Sequence, residues 1–222
     1  MKIRIKRIFK FTTKKAKMIL SYKYGNDFSL DFIKIANKHF ENIIKDIPNI
    51  GDSAFKISYY MCPCYIAWYK TLLDMNISEK DANLLIWDIN ETLLKSYPQI
   101  IVKFIAKKVF IGKFRKAALD AERKAIKEEL HEMDWKIRGV KLEKNIISFE
   151  IYECAIVKMC KNFNVEGLLP YLCRMDYLFA HYIGIGFNRT KTLGDGDDYC
   201  NCKYIFSESC EWAPEKGFEY RK

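Results

Sequence analysis

Residues 183–206 read IGIGFNRTKTLGDGDDYCNCKYIF, two alternating segments on either side of the turn-rich run GDGDD at 194–198. Side chains alternate across a strand, so this stretch predicts a β-hairpin. On its first arm Ile185, Phe187, Arg189, Lys191 and Leu193 share one face, and on its second Cys200, Cys202, Tyr204 and Phe206 do. Arg189 therefore falls among apolar neighbours. A guanidinium in that setting requires a carboxylate, a group of carbonyls or an anionic ligand, because an unpaired buried charge is costly.

The segment just before the hairpin offers such a partner. Leu169, Leu172, Cys173, Asp176, Ala180 and Ile183 recur at helical spacing, with Pro170 suited to a first turn and Gly184 to a stop. Asp176 stands where that stripe calls for an apolar side chain. A bidentate Asp176–Arg189 pair is the simplest way to satisfy both groups. The pair either locks helix to hairpin as an internal salt bridge or lines a polar pocket for a small zwitterionic or carboxylate-bearing ligand. The residues alone leave both readings open.

Upstream, Val140, Leu142, Ile147, Phe149 and Ile151 alternate with polar residues around the turn-like 143–145, so strands begin near Gly139. Cys154 then opens a short helix with Ile156, Val157, Cys160 and Phe163. Everything earlier has helical spacing. Ser29 is expected to cap a helix that Pro48 stops, residues 53–75 form an aromatic-rich helix with Pro63 as a kink or break, and Ser78 with Asp81 forms a capping box. A long helix is expected over 99–132, apolar early and charged late, with Gly112 as a bend. The expected class is α+β: a helical part at 1–138 packed on a small C-terminal antiparallel sheet with two helices at 139–206. A tail at 207–222 completes what reads as one domain.

Composition sets further bounds. Half of the 222 residues are apolar, enough for a sizeable core, and 38 basic against 28 acidic residues give a net charge of +10. Residues 1–24 hold nine Lys or Arg among scattered apolar positions. They read as a helix packed on one side and solvated on the other rather than as a membrane-surface helix. The cations between 103 and 127 are interrupted by Asp120 and Glu122 and accompany no nucleic-acid-binding motif, so no nucleic acid partner is expected. No apolar run spans a bilayer and no secretory leader is evident, which predicts a cytoplasmic protein with reduced thiols. Cys62-Pro63-Cys64 is only half a metal site, and with three histidines in the chain neither a metal nor a cofactor is expected. His131 reads as an exposed helix residue and His181 as an edge residue of its helix.

Three features together resemble a known family. They are Cys154-Ala155-Ile156, Cys173 followed by Asp176, and above all Arg189-Thr190-Lys191-Thr192-Leu193 with Gly196 and Tyr199-Cys200. The pattern R-T-x-T-L-x-x-G-x-x-x-C resembles the L-2-amino-thiazoline-4-carboxylic acid hydrolases, most strongly over residues 150–206. The resemblance implies hydrolytic opening of the cyclic amidine ring of 2-aminothiazoline-4-carboxylate to a carbamoyl-cysteine, without a cofactor. On that reading Arg189 holds the substrate carboxylate with Thr190 or Thr192 as hydroxyl donors. Cys200 is the nucleophile, and Asp176 is the general base or the partner of the ammonium. One departure stands out: where the family has Asp-Phe after the cysteine, this chain has Asn201-Cys202. That departure, and the lack of a histidine beside Cys200, favour a second reading as a non-catalytic carboxylate-binding module. A third reading has Cys154, Cys173, Cys200 and Cys202 converge on a metal or cluster.

Overall fold

Four helices come first: α1 (Lys2–Tyr24), α2 (Asn26–Asp46), α3 (Lys56–Asp74) and α4 (Glu79–Lys95). The computed structural model describes residues 1–98, 100, 103–104 and 107–210. Gln99, Ile101, Val102 and Ile105 of the expected long helix lie outside them, as do Trp212 and Pro214 of the tail. Helix α3 is the hub, packing against α1, α2 and α4 and burying Tyr59, Trp68, Tyr69 and Leu72. Pro63 lies inside it without ending it. A mid-helix proline costs about 3 kcal/mol, and here Tyr60, Cys62, Cys64, Ile66 and Ala67 around it are all buried, so packing holds the helix through that site.

The helix starts follow local chemistry. Ser78 caps α4: its hydroxyl accepts the Asp81 N–H at 3.1 Å and donates to the Asp81 carboxylate at 2.7 Å. Replacing Ser78 by Ala should lower stability by about 1 kcal/mol, read as a lower urea midpoint with unchanged slope. Ser29 does not cap α2. That helix already begins at Asn26, and the Ser29 hydroxyl, buried within it, donates to the Asn26 carbonyl at 2.7 Å. Ile47 is extended ahead of Pro48 and ends α2 as expected.

After α5 (Lys107–Ile126) come β1 (Lys136–Leu142) and β2 (Ile146–Glu153), then α6 (Ala155–Asn162), a 3-10 turn at Glu166–Leu168 and α7 (Leu169–Ile183). The last strands are β3 (Gly186–Asn188) and β4 (Cys200–Ile205), and the antiparallel sheet has the order β1-β2-β4-β3. Cys154 precedes α6 as its cap residue, and Gly184 closes α7 in the left-handed conformation at φ 73°. The first strand starts at Lys136, three residues ahead of the change of period at Gly139, and its register shifts between Arg138 and Lys141.

Across β2 and β4, Ile147 faces Tyr204, Phe149 faces Cys202 and Ile151 faces Cys200, so the apolar faces of both strands coincide. Rings carry this layer through the molecule. Phe114 meets Phe55, Phe149 and Tyr204, Tyr204 meets Phe187, and Phe187 meets Tyr177 edge-on at 4.7 Å. One apolar core thus includes residues of both the helical part and the sheet, with α6 packed on α3 and α7 on α4.

The hairpin is shorter on its first arm than the alternation suggested. Only Gly186, Phe187 and Asn188 pair with β4, opposite Ile205, Tyr204 and Lys203. Beyond Asn188 one backbone bond to β4 remains, from the Asn201 N–H to the Lys191 carbonyl at 3.3 Å, and side chains take the next N–H groups: Asn201 Oδ1 accepts those of Thr190 and Lys191 at 2.9 and 2.7 Å, and Asp197 accepts that of Thr192 at 2.7 Å. Local acceptors of this kind compete with sheet pairing, and here they pull residues 189–199 off the sheet as a loop.

Candidate active site

The loop 189–199 sits against α7. Its 3-10 turn, Leu193–Asp195, is started by Thr192, whose hydroxyl accepts the Gly194 N–H at 3.4 Å. Gly194 lies so close to the Cys173 sulfur that a Cβ at this position would overlap it. Only glycine lets the turn pack on the helix.

This packing turns Arg189 inward. One guanidinium nitrogen donates to Asp176 Oδ2 at 2.9 Å and the other to the Cys173 carbonyl. The group lies over the rings of Phe187 and Tyr177, 5.3 and 5.8 Å from their centres, and the Tyr177 hydroxyl donates to the Arg189 carbonyl at 3.1 Å. The expected Asp176–Arg189 pair therefore forms, but the fork is shared with a helix carbonyl instead of gripping the carboxylate bidentately. Arg189 exposes 5% of its side chain and Asp176 43%.

A second pair was not legible in the sequence. Arg174, buried on α7, grips Asp195 with two bonds of 2.9 and 2.6 Å and also donates to the Pro170 carbonyl at 2.8 Å. Nothing in the spacing marks Arg174, since it belongs to no apolar stripe and its partner sits in the turn-rich run at 194–198.

Between these pairs lies a cavity of about 290 Å³ lined by Arg174, Tyr177, Arg189, Thr190, Lys191, Thr192 and Asp195. Three cations face one carboxylate in it. Of the sequence-derived candidates, Arg189, Thr190 and Thr192 are in the wall, whereas Cys200 and Asp176 are not. Asp176 holds Arg189, and the buried Cys200 sulfur accepts the Leu193 N–H at 3.2 Å and lies 3.5 Å from the Thr192 hydroxyl oxygen. Lys191 is poised over the Tyr199 ring at 4.8 Å.

Asn201 now has a defined role. Its amide oxygen clamps the two backbone N–H groups already described, while its Nδ2 donates to the Thr190 hydroxyl at 2.7 Å. A carboxylate at this position could accept the same two N–H groups, so the departure from Asp preserves the loop clamp and changes only the bond to Thr190.

Burial sets the protonation of the neighbouring thiols. It pushes Cys173 up to about 11 against the pull of Arg189, and it raises Cys154 and Cys202 further, so all three stay protonated near neutral pH. Asp176 is held above the ordinary carboxylate value by desolvation, which outweighs the opposing effect of Arg189, although part of its side chain reaches solvent. The folded protein thus keeps this proton to higher pH than the unfolded chain does. Stability from that difference is full below the unfolded value of 3.8 and is lost as pH rises through the raised folded value. Asp176→Asn removes the titration, so the wild type should lose stability relative to this variant as pH rises from about 3.8. Denaturation midpoints of both proteins across the acid range check the slope.

The histidines stand apart from the sulfur. His181 Nδ1 meets the Cys210 carbonyl at 2.7 Å, and His131 Nδ1 accepts the Met133 N–H at 3.0 Å. Among the described residues no group of three or more His, Cys, Asp or Glu side chains is arranged to hold a metal ion. No helix among them is long and apolar enough to cross a membrane.

Comparison with known proteins gives one finding. The family model described as L-2-amino-thiazoline-4-carboxylic acid hydrolase matches residues 54–204, more than half of the chain. No curated protein and no solved structure matches.

Proposed function

Because the chain belongs to the L-2-amino-thiazoline-4-carboxylic acid hydrolase family, we propose that it is a hydrolase. On this reading it opens the ring of 2-aminothiazoline-4-carboxylate, or a closely similar cyclic amidine, to a carbamoyl-cysteine. The observation that carries the reading is the cavity walled by Arg189, Thr190 and Thr192 of the family pattern, in which Lys191 adds one cation beyond the Arg189–Asp176 and Arg174–Asp195 pairs. A small anion is the natural occupant of such a site.

In this account Arg189, Lys191 and the Thr190 hydroxyl hold the substrate carboxylate. Asp195, fixed by Arg174, faces the amidine end. The Cys200 thiol gives up its proton as its sulfur adds to the ring carbon between sulfur and nitrogen, and the bond from that carbon to the ring sulfur or ring nitrogen breaks as the leaving atom takes that proton. Water then adds to the same carbon, supplying the carbonyl oxygen of the product and returning a proton to the Cys200 sulfur as it departs. The raised pKa of Asp176 suits it to carry that proton. The Leu193 N–H is aimed at the Cys200 sulfur and fixes its position beside the loop. Attack requires the Thr192 side chain to swing aside. All eight cysteines are free, which suits a reducing compartment such as the cytoplasm.

The second reading, a carboxylate-binding module without turnover, is favoured by one observation: Cys200 and Asp176 stand outside the cavity wall. Incubation with 2-aminothiazoline-4-carboxylate separates the two. Accumulation of carbamoyl-cysteine supports the hydrolase, whereas a ligand-induced rise in melting temperature without product supports the binding module.

A further inference from the structure

Helix α1 carries nine of the 38 basic residues and none of the 28 acidic ones, so the rest of the chain, with 29 basic against 28 acidic, is almost neutral. Practically the whole excess charge of the protein sits on one helix. Its inner face is fixed: Ile5, Phe9, Ala16 and Leu20 are buried against α2, α3 and α4. Its outer face is not simply solvated polar surface. Ile3, Phe11, Met18 and Tyr22 are 68, 52, 61 and 96% exposed. With 3.6 residues per turn, these four side chains fall within about 100° of one another around the helix, opposite the buried stripe. Arg7 and Lys14 lie among them, and Arg4, Lys15, Lys10 and Lys17 flank them on either side. None of the nine cations forms a salt bridge with another described residue.

We propose that the outer face of α1 docks the protein on an anionic lipid bilayer surface, with Ile3, Phe11, Met18 and Tyr22 entering the headgroup layer and the surrounding lysines and arginines meeting lipid phosphates and carboxylates. Charge complementarity calls for an anionic partner. The interleaved large apolar side chains select lipid over nucleic acid, which offers them no apolar layer, and the same concentration of positive charge opposes a second copy of this face. The scattered apolar positions in the sequence belong to two faces: one stripe serves the core and the other remains for the membrane.

The test is co-sedimentation of the full chain with phosphatidylcholine vesicles, with and without phosphatidylserine. Binding is expected only with phosphatidylserine and is expected to weaken as salt is raised. Lys10→Glu with Lys14→Glu should lower partitioning by at least about 25-fold, at about fivefold per cation near an anionic surface. Phe11→Ser with Met18→Ser should lower it by about tenfold. All four side chains are at least half open or exposed on the outer face, so both variants should keep the melting temperature of the wild type. Wild-type protein that ignores phosphatidylserine vesicles overturns the proposal. So does partitioning that the Phe11→Ser, Met18→Ser variant leaves unchanged, as does binding to a mixed-sequence DNA duplex as tight as that to the vesicles and equally insensitive to that variant.

Discussion

Replacing Arg189 by alanine should abolish the melting shift induced by 2-aminothiazoline-4-carboxylate and destabilise the protein by about 3 kcal/mol, the low end for removing one partner of a buried pair. Three losses combine. Asp176 is left without its cation, the Cys173 carbonyl loses a donor, and the rings of Phe187 and Tyr177 lose the planar group packed over them. Partial exposure of Asp176 keeps the cost from being larger, because water can reach the orphaned carboxylate. Pairing the change with Asp176→Ala separates structure from function: removing both charges should recover much of the stability and none of the ligand response. Urea unfolding and ligand-dependent melting of the single and double variants measure the two effects side by side.

The second large effect falls on turnover alone. Cys200→Ala should lower ring opening by on the order of a thousandfold or more, as loss of a covalent nucleophile does, while the ligand-induced melting shift survives. The shift survives because Cys200 lies outside the wall that meets the ligand carboxylate. Turnover in Cys200→Ala equal to that of the wild type would assign the attack to water and leave Cys200 as a support for Thr192 and Leu193.

Much of this arrangement was legible wherever local chemistry decides the outcome. The Ser78–Asp81 cap, the ends of α7 at Pro170 and Gly184, and the shared buried face of Cys200, Cys202 and Tyr204 all follow from spacing and residue type. The mismatch of Asp176 in an apolar stripe with Arg189 in another pointed to their pairing. Tertiary competition decided the rest. Strand alternation runs on through Leu193 in the sequence, but the acceptors supplied by Asn201 and Asp197 end β3 at Asn188. Pro63 reads as a kink or break, and burial around it carries α3 through that site without ending it. Arg174 gave no periodic signal, and its grip on Asp195 depends on a loop path that only the folded chain defines.

The central claim is that the Arg189 cavity recognises a carboxylate on a cyclic amidine. Calorimetric titration of the wild type with 2-aminothiazoline-4-carboxylate, set against 2-aminothiazoline lacking the carboxylate, tests it most directly. Saturable binding of the first compound, lost for the second and lost for the first in Arg189→Lys, is the predicted result. Equal affinity for the two compounds, or binding that Arg189→Lys leaves intact, would contradict it.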